Sequence, residues 1–153
     1  MTAIMLQSEL KKRIEALLEG LILPSQEGEI KKIAVYEQDT PRKIKSTSRN
    51  PDKTHYPYVI VYVDKGDNEQ VNILFVVAIF DDGEDNQGHK DVSTILEKIM
   101  QDLHKQPKVN DQHEMKDFQW FLDDADTFPV HFGWIEATFD IPQIVLEEGA
   151  EYI

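Results

Sequence analysis

The residues of this chain that come closest to forming a chemical site are the carboxylates of an acidic turn, Asp81-Asp82-Gly83-Glu84-Asp85. Clustered carboxylate oxygens are the ligands that Ca²⁺ and Mg²⁺ prefer. The spacing does not fit an EF-hand loop, because the sixth position counted from Asp82 is Gln87 rather than glycine and the twelfth is Ser93 rather than glutamate. We therefore interpret the segment as a solvated turn or a contact between subunits.

Other residue types that carry catalysis are present without the spacing that catalysis needs. No two histidines are four residues apart, as they would be on a zinc-binding helix face. The histidines are His55, His89, His104, His113 and His131. No Gly-x-Ser-x-Gly turn surrounds Ser25 or Ser93, no glycine-rich phosphate loop follows a strand, and the chain has no cysteine. We expect a protein that is not an enzyme and that uses no metal or cofactor.

Length and charge limit the classes of function further. The 153 residues suit one compact domain, which we place at residues 1–146, with a flexible tail at 147–153. The formal net charge of −13 disfavours nucleic acid recognition and binding to an anionic membrane. The N-terminus lacks the pattern of a signal peptide, and the longest apolar run, Ile73–Phe80, is too short for a membrane span. We expect a soluble protein that is intracellular at synthesis.

Apolar residues at helical spacing predict two helices that would position these groups. The first carries its apolar stripe from Leu6 to Leu21, and Gly20 and Pro24 are placed to end it. The second carries a stripe from Val92 to Leu103 directly after the acidic turn. Both helices are amphipathic, so each needs an apolar surface to pack against.

Five apolar segments predict the strands that provide this surface. They are Ile33–Tyr36, Tyr58–Val63, Val71–Phe80, Phe118–Leu122 and Trp134–Ile141. The second and third are joined by a Gly- and Asn-containing turn, which favours a β-hairpin. The third is apolar on both faces, which predicts a central strand covered on both sides. The predicted fold class is therefore α+β, a single domain with a mainly antiparallel, mixed sheet of four to five strands and two main helices packed on it.

Residues 38–55 interrupt this pattern, because they lose all apolar periodicity and are rich in Pro, Ser, Thr and Asn. We expect a long mobile loop. This segment contains many basic residues and few acidic ones. The basic residues are Arg42, Lys43, Lys45, Arg49 and Lys53. A basic segment in an acidic protein is suited to an acidic surface of a neighbouring molecule, with a nucleic-acid arm as the alternative.

Aromatic residues are frequent in the C-terminal third. They are Phe118, Trp120, Phe121, Phe128, Phe132 and Trp134. We interpret them as core and sheet-face residues, and an exposed subset of them would anchor a protein interface.

Four segments together resemble the tail terminator and tail-completion proteins of long-tailed phages and prophages of Gram-positive bacteria. They are a Tyr-Pro-Tyr-Val-Ile-Val strand at Tyr56–Val61, a second strand running into the acidic turn Asp81–Gly88, a helix like Asp91–Met100 and a closing strand like Phe132–Pro142. The resemblance spans about two-thirds of the chain, and none of its motifs is catalytic.

This resemblance implies a structural role in virion assembly. Copies of the chain would close into a ring, expected to be a hexamer, that caps the tail-tube protein and joins the tail to the head-tail connector protein. The protein would reside in the host cytoplasm during assembly and then at the head-proximal end of the virion tail. An acidic channel lining would let DNA pass without sticking.

For the contacts of such a ring, we expect the basic loop residues to meet a neighbouring subunit or the tube, with acidic-turn residues as counter-charges. The expected interface residues are Arg42, Lys43, Lys45, Arg49, Lys53, Asp81, Asp82, Glu84 and Asp85. The alternatives are a different head-tail neck or completion protein, or a non-viral protein, either a small acidic binding module or a metal-dependent enzyme built on the acidic turn.

Overall fold

The computed structural model describes residues 2–23, 32–39, 56–83, 87–123 and 127–141, which form two helices and one six-stranded sheet. The helices are α1 (Ala3–Leu18) and α2 (Gln87–Lys105). The strands are β1 (Ala34–Glu37), β2 (Tyr58–Gly66), β3 (Gln70–Phe80), β4 (Lys108–Val109), β5 (His113–Leu122) and β6 (Val130–Asp140).

The sheet order is β1-β2-β3-β6-β5-β4, with β1 parallel to β2 and every other neighbouring pair antiparallel. The predicted α+β single domain with a mixed sheet and two helices is confirmed, although the sheet has six strands rather than four to five. The sixth strand is β4, and its two residues are too few to give a period in the sequence. Neither helix in the described ranges has the length and apolar character that a membrane crossing requires.

The centre of the sheet is the pairing of β3 with β6, which runs from Gln70 opposite Asp140 to Phe80 opposite Val130. Helix α2 packs on this pair. Its apolar stripe from Val92 to Leu103 is buried, as the sequence predicts. Close packing depends on Gly133, because a Cβ there would lie 2.6 Å from Val92 Cγ1.

The sheet has a helix face and an open face. The helix face carries the main core, with Ile73, Phe75 and Val77 of β3 fully buried beneath the helices. The open face of β3 is only half-buried at Leu74 and Val76. The prediction that β3 is covered on both sides is therefore confirmed for the helix face and in part for the other face, where Ala78 is fully buried in a smaller cluster with Tyr58 and Val130.

Several element boundaries differ from the predicted ones. Helix α1 ends at Leu18, so the predicted stripe extends past it to Leu21, whereas the predicted role of Gly20 at the helix end is confirmed by its left-handed φ of 77°. The predicted hairpin is confirmed, but β2 continues to Gly66, and Asp67 organises the turn by accepting hydrogen bonds from the amides of Glu69 and Gln70 at 2.7 and 2.8 Å. Pro24, residues 40–55 of the predicted loop and the tail 147–153 lie outside the described residues.

Strand β5 begins five residues earlier than predicted, at His113 rather than Phe118. The added residues are mostly polar, so their strand conformation comes from pairing with β6 and with β4 rather than from apolar alternation. Asn110 and Asp111, both at positive φ, reverse the chain between β4 and β5. Such residues tolerate the left-handed region better than most side chains do.

The N-terminal strand β1 is attached to the sheet by side-chain amides as well as by its own backbone. Gln38 follows the last residue of β1, and its side-chain amide pairs with the backbone of Val63 as a further strand residue would. Its Oε1 accepts from the Val63 amide at 2.6 Å, and its Nε2 donates to the Val63 carbonyl at 3.3 Å. Buried Gln7 of α1 donates to Gln38 Oε1 and to the Val61 carbonyl. These contacts fix α1 over β1 and β2.

Arg13 joins the two helices. Its Nε donates to Asp102 Oδ2 at 2.6 Å, and its Nη2 donates to the backbone carbonyls of Asp102 and Gln106 at 2.8 and 2.6 Å. The guanidinium therefore places positive charge against the C-terminal end of α2, where unpaired carbonyls and the helix dipole favour a cation. Charge-assisted bonds of this kind are among the stronger ones in proteins.

We expect R13A to lower the free energy of unfolding by about 2 kcal/mol, because it removes charge-assisted hydrogen bonds from partly buried carbonyls. R13K restores the charge but not the planar fork, so it should recover only part of the loss. The matched control is K12A, since Lys12 is exposed and its ion pair with Glu9 is long at 3.5 Å; we expect its effect to stay within about 0.5 kcal/mol. Urea denaturation measures all three. Equal losses for R13A and K12A would contradict this role.

Candidate functional site

The open face of the sheet carries a second, smaller apolar cluster, in which Tyr58, Ala78 and Val130 are buried and the residues packed against them are partly buried. Its residues alternate with the helix-face residues along β1, β2, β3, β5 and β6. The apolar ones are Ala34, Tyr36, Tyr58, Ile60, Tyr62, Leu74, Val76, Ala78, Phe80, Phe121, Val130, Phe132 and Trp134. An apolar sheet surface of this kind is typical of a protein-protein contact.

Aromatic rings pack against one another on this face. Tyr56 and Tyr58 are stacked with ring centroids 5.2 Å apart, and Tyr36 and Phe80 adjoin them. Burial, reinforced by Tyr56, raises the pKa of the Tyr58 hydroxyl well above its ordinary value. The raised pKa favours the protonated hydroxyl, while the ring of Tyr58 contributes apolar area to the cluster.

The far end of the open face is polar. Lys116 lies between the carboxylates of Glu114 and Asp140, at 3.4 and 3.5 Å, and the hydrogen bond to Glu114 raises the pKa of the lysine. Thr138 donates to Asn72 across neighbouring strands at 3.0 Å. The open face therefore changes along the strands from aromatic to charged, which gives it a defined orientation toward any partner.

Three exposed aromatic side chains lie on or near β5, and a fourth, Tyr62 at 36% exposure, lies on β2. Trp120 is 53% exposed, Phe121 36% and Phe128 58%, whereas Phe118 and Trp134 are half-buried. The structure thus identifies which of the predicted aromatic residues are accessible. The sequence could not, because exposure depends on the strand's place in the sheet and not on the residue type.

Strand β5 also has a free edge among the described residues. On its outer side, β4 pairs with only His113 and Glu114, and Met115 donates to the Pro107 carbonyl. From there to Leu122, the described strands pair with β5 on its β6 side alone. Trp120 adjoins this edge and, with Ser93, Leu96, Glu97 and Met100 of α2, lines a small groove of about 150 Å³. A strand edge beside an apolar groove is a common site for an added strand.

The acidic turn has a structural role that its sequence did not show. Asp81 Oδ2 accepts from the amide of Gly88 at 2.8 Å, and Oδ1 accepts from the amide of Gly83 at 3.0 Å. The carboxylate therefore caps the first turn of α2 from outside the helix, where the dipole favours negative charge. Gly88 is required here, because a Cβ would lie 2.4 Å from Cδ2 of His131.

The two expected interface residues of the acidic turn that the structure describes have different environments. Asp81 is half-buried and holds two backbone amides, whereas its neighbour Asp82 is exposed. Their role as counter-charges stays a prediction. The remaining expected residues, Glu84 and Asp85 in the turn and the five cations of the basic loop, lie outside the described residues. Within the described ranges, no three histidine, aspartate or glutamate side chains are grouped as a metal site would need.

We expect D81A to lower the free energy of unfolding by about 1 to 2 kcal/mol, because two backbone amides lose their acceptor. D82A removes the same charge one residue away and should change the free energy of unfolding by no more than about 0.5 kcal/mol. Thermal or urea denaturation of both variants makes the comparison. The capping role of Asp81 is wrong if the two variants are equally stable.

His113, at the start of β5, is the one histidine among those described that the core encloses. It is 1% exposed, and neither ring nitrogen has a hydrogen-bond partner among the described residues. Burial lowers its pKa below the ordinary value of 6.5. A buried histidine without a partner favours the neutral ring, and nothing in its surroundings indicates catalysis.

Lowering the pH should therefore destabilise the protein through His113. Below about pH 6.5 the unfolded chain binds a proton that the folded chain does not, so stability falls from there toward the lowered pKa of the folded state. We expect H113L to show a shallower loss of stability between pH 7.5 and 5.5, by at most about 1.4 kcal/mol per pH unit, the limit for one proton. H104Q, which changes an exposed histidine of α2, should keep the wild-type dependence. Urea melts at several pH values test this, and parallel curves for wild type and H113L would contradict it.

No protein-family model matches the chain, and no curated protein sequence matches it either. The surfaces described above and the resemblance of the four sequence segments are therefore the features of this chain that bear on its function.

Proposed function

We propose that this chain is a structural assembly protein of a long-tailed phage or prophage and that it acts as the tail terminator. In this role its copies close into a ring, expected to be a hexamer, that caps the tail-tube protein and presents its other face to the head-tail connector protein. The protein assembles in the host cytoplasm and remains at the head-proximal end of the virion tail. It catalyses no reaction in this account.

The observation that carries the proposal is the combination of an open aromatic sheet face with an accessible strand edge. Phe121 and Trp134 stack on the open face with centroids 5.3 Å apart, and Trp120 and Phe121 are exposed on β5. Exposed aromatic side chains on a rigid sheet are suited to anchoring protein partners, since they contribute large contact area with little loss of conformational freedom. These surfaces support a binding and assembly role.

The resemblance to tail terminator proteins supports the particular assembly that we propose. Its segments correspond to the start of β2, the strand β3 with the turn that caps α2, the middle of α2, and β6. Together they cover the middle of the sheet and the helix packed on it, so the similarity concerns one connected part of the fold. The open face is built largely on β2, β3 and β6, and the free edge lies on β5, which pairs with β6. We therefore assign both surfaces to subunit and tube contacts.

The charge of the chain is also compatible with a ring through which DNA passes. A net charge of −13 opposes adsorption of phosphate backbones. The proposal therefore includes no specific nucleic acid recognition, and DNA would meet a surface that repels it rather than a binding site.

Native mass spectrometry of the purified chain, alone and mixed with the tail-tube protein encoded nearby in its genome, tests the proposal. We expect a closed oligomer of one defined size, alone or bound to the tube protein, because ring interfaces pair the same two patches at every contact. A reduced-salt and a high-salt measurement show how far charge contributes. A monomer that ignores the tube protein in both conditions would contradict the terminator role, and binding to the connector protein alone would move the protein to another position in the neck.

A further inference from the structure

Strand β1 and the part of β5 that β4 does not cover lie near opposite edges of the sheet, at the same level along the strand direction. Two rows of directly paired residues cross the sheet from β1 to β5. The first contains Val35, Val59, Val77, Gly133 and Leu122, and the second contains Glu37, Val61, Phe75, Ile135 and Trp120. Strand β1 at one edge therefore lies level with the free part of β5 at the other, while β4 covers β5 only at its opposite end.

The edges also match in direction. Strand β1 is parallel to β2, and three antiparallel steps lead from β2 through β3 and β6 to β5. Strand β5 consequently runs antiparallel to β1. If a second copy is placed beside the first by rotation about an axis along the strands, its β1 meets the first copy's β5 as an antiparallel neighbour, the arrangement that most of this sheet already uses.

The backbone amides and carbonyls of β1 and β5 that point away from the sheet belong to residues on these same two rows. The amides of Ala34 and Gln38 point inward, to Pro57 and Val61 of the β2 side, so those of Val35 and Glu37 point outward by alternation. On β5 the Asp123 amide points inward to Phe132, so that of Leu122 points outward. Residues that share a row thus present donors and acceptors to each other.

We infer that copies of this chain join edge to edge, with β1 of one copy pairing antiparallel with the free edge of β5 in the next, so that the sheet continues from subunit to subunit. This inference rests on the proposed ring and specifies its interface. Val35 faces Leu122 and Glu37 faces Trp120 across the contact. The interface is heterologous, because two different edges meet, and such interfaces generate rings when the rotation closes.

Side chains above the strands extend the contact. Ser8 of α1 donates to Glu37 Oε1 at 3.1 Å, so this flank of α1 borders β1. Ile4 lies one turn earlier on the same flank and is 70% exposed. The pairing brings this flank toward the groove that Trp120 of the next copy forms with α2. An exposed isoleucine and an open apolar groove are thereby placed at one interface.

Disulfide trapping tests the pairing, and the chain provides a clean background because it has no cysteine. E37C and W120C place cysteines directly opposite in a hydrogen-bonded pair, with Cα atoms about 5.5 Å apart, within disulfide range. We expect the double variant to give a ladder of covalent oligomers on oxidation. An equimolar mixture of the two single variants should give covalent dimers only, and each single variant alone should give none.

A second pair, Y36C with F121C, tests the neighbouring row without altering Trp120. The control pair is K65C with W120C, because Lys65 is exposed but lies beyond the end of β1 along β2. This control pair should form no more disulfide-linked oligomer than the single variants do. Circular dichroism confirms that each variant is folded.

The results separate this inference from the proposed function. If native mass spectrometry shows a wild-type ring and neither matched pair links, or the control pair links equally well, the edge pairing is overturned while the ring stands. Linkage of W120C to itself would indicate a two-fold contact and also overturn the inference. If the wild type forms no oligomer with or without the tail-tube protein, the proposed function fails, and the edge pairing fails with it.

Discussion

The antiparallel pairing of β3 with β6 is the constraint on which the rest of the structure depends. It joins the middle of the chain to its C-terminal part along all 11 residues of β3. The pair provides the floor on which α2 packs and the axis from which the sheet extends to both edges. Gly133 shows how tight the fit is, because no larger residue would let α2 approach β6.

From this centre the two faces diverge in character. The helix face holds the main core and is stabilised by burial of apolar side chains beneath both helices. The polar contacts at its margins orient the helices: Arg13 fixes α1 to the end of α2, and Asp81 fixes the beginning of α2 to the sheet. Both described helices lie on one side of the sheet, and the other face carries the smaller cluster around Tyr58, Ala78 and Val130.

Much of this architecture could be predicted from periodicity. The stripe in α2, the alternation in β6 and the hairpin of β2 and β3 are long apolar patterns, and the structure confirms them with shifted boundaries. The pairing of β4 and the first half of β5 could not be predicted, since residues such as Glu114 and Lys116 become a strand only through their partners. The role of Gln38 could not be predicted either, because its side-chain amide takes the place of a strand backbone in pairing with Val63.

The candidate surfaces were less predictable than the fold. Composition identified the aromatic residues but not their exposure, because exposure depends on which neighbours cover a strand: Trp120 lies on β5 near the edge of the sheet and is 53% exposed, whereas Trp134 on the inner strand β6 is half-buried. The acidic turn was predicted as a solvated segment or a contact, and the structure adds that Asp81 caps α2. The assembly role of the basic residues 42–53 stays a prediction that no described residue bears on.

The central claim is that the chain assembles through its sheet into a ring that closes the tail tube. Electron cryomicroscopy of the protein incubated with assembled tail tubes tests it most directly. We expect a closed ring seated on one end of each tube, with neighbouring subunits joined by continuous sheet density. Bare tube ends beside unassociated protein, or density along the tube walls instead of at an end, would contradict it.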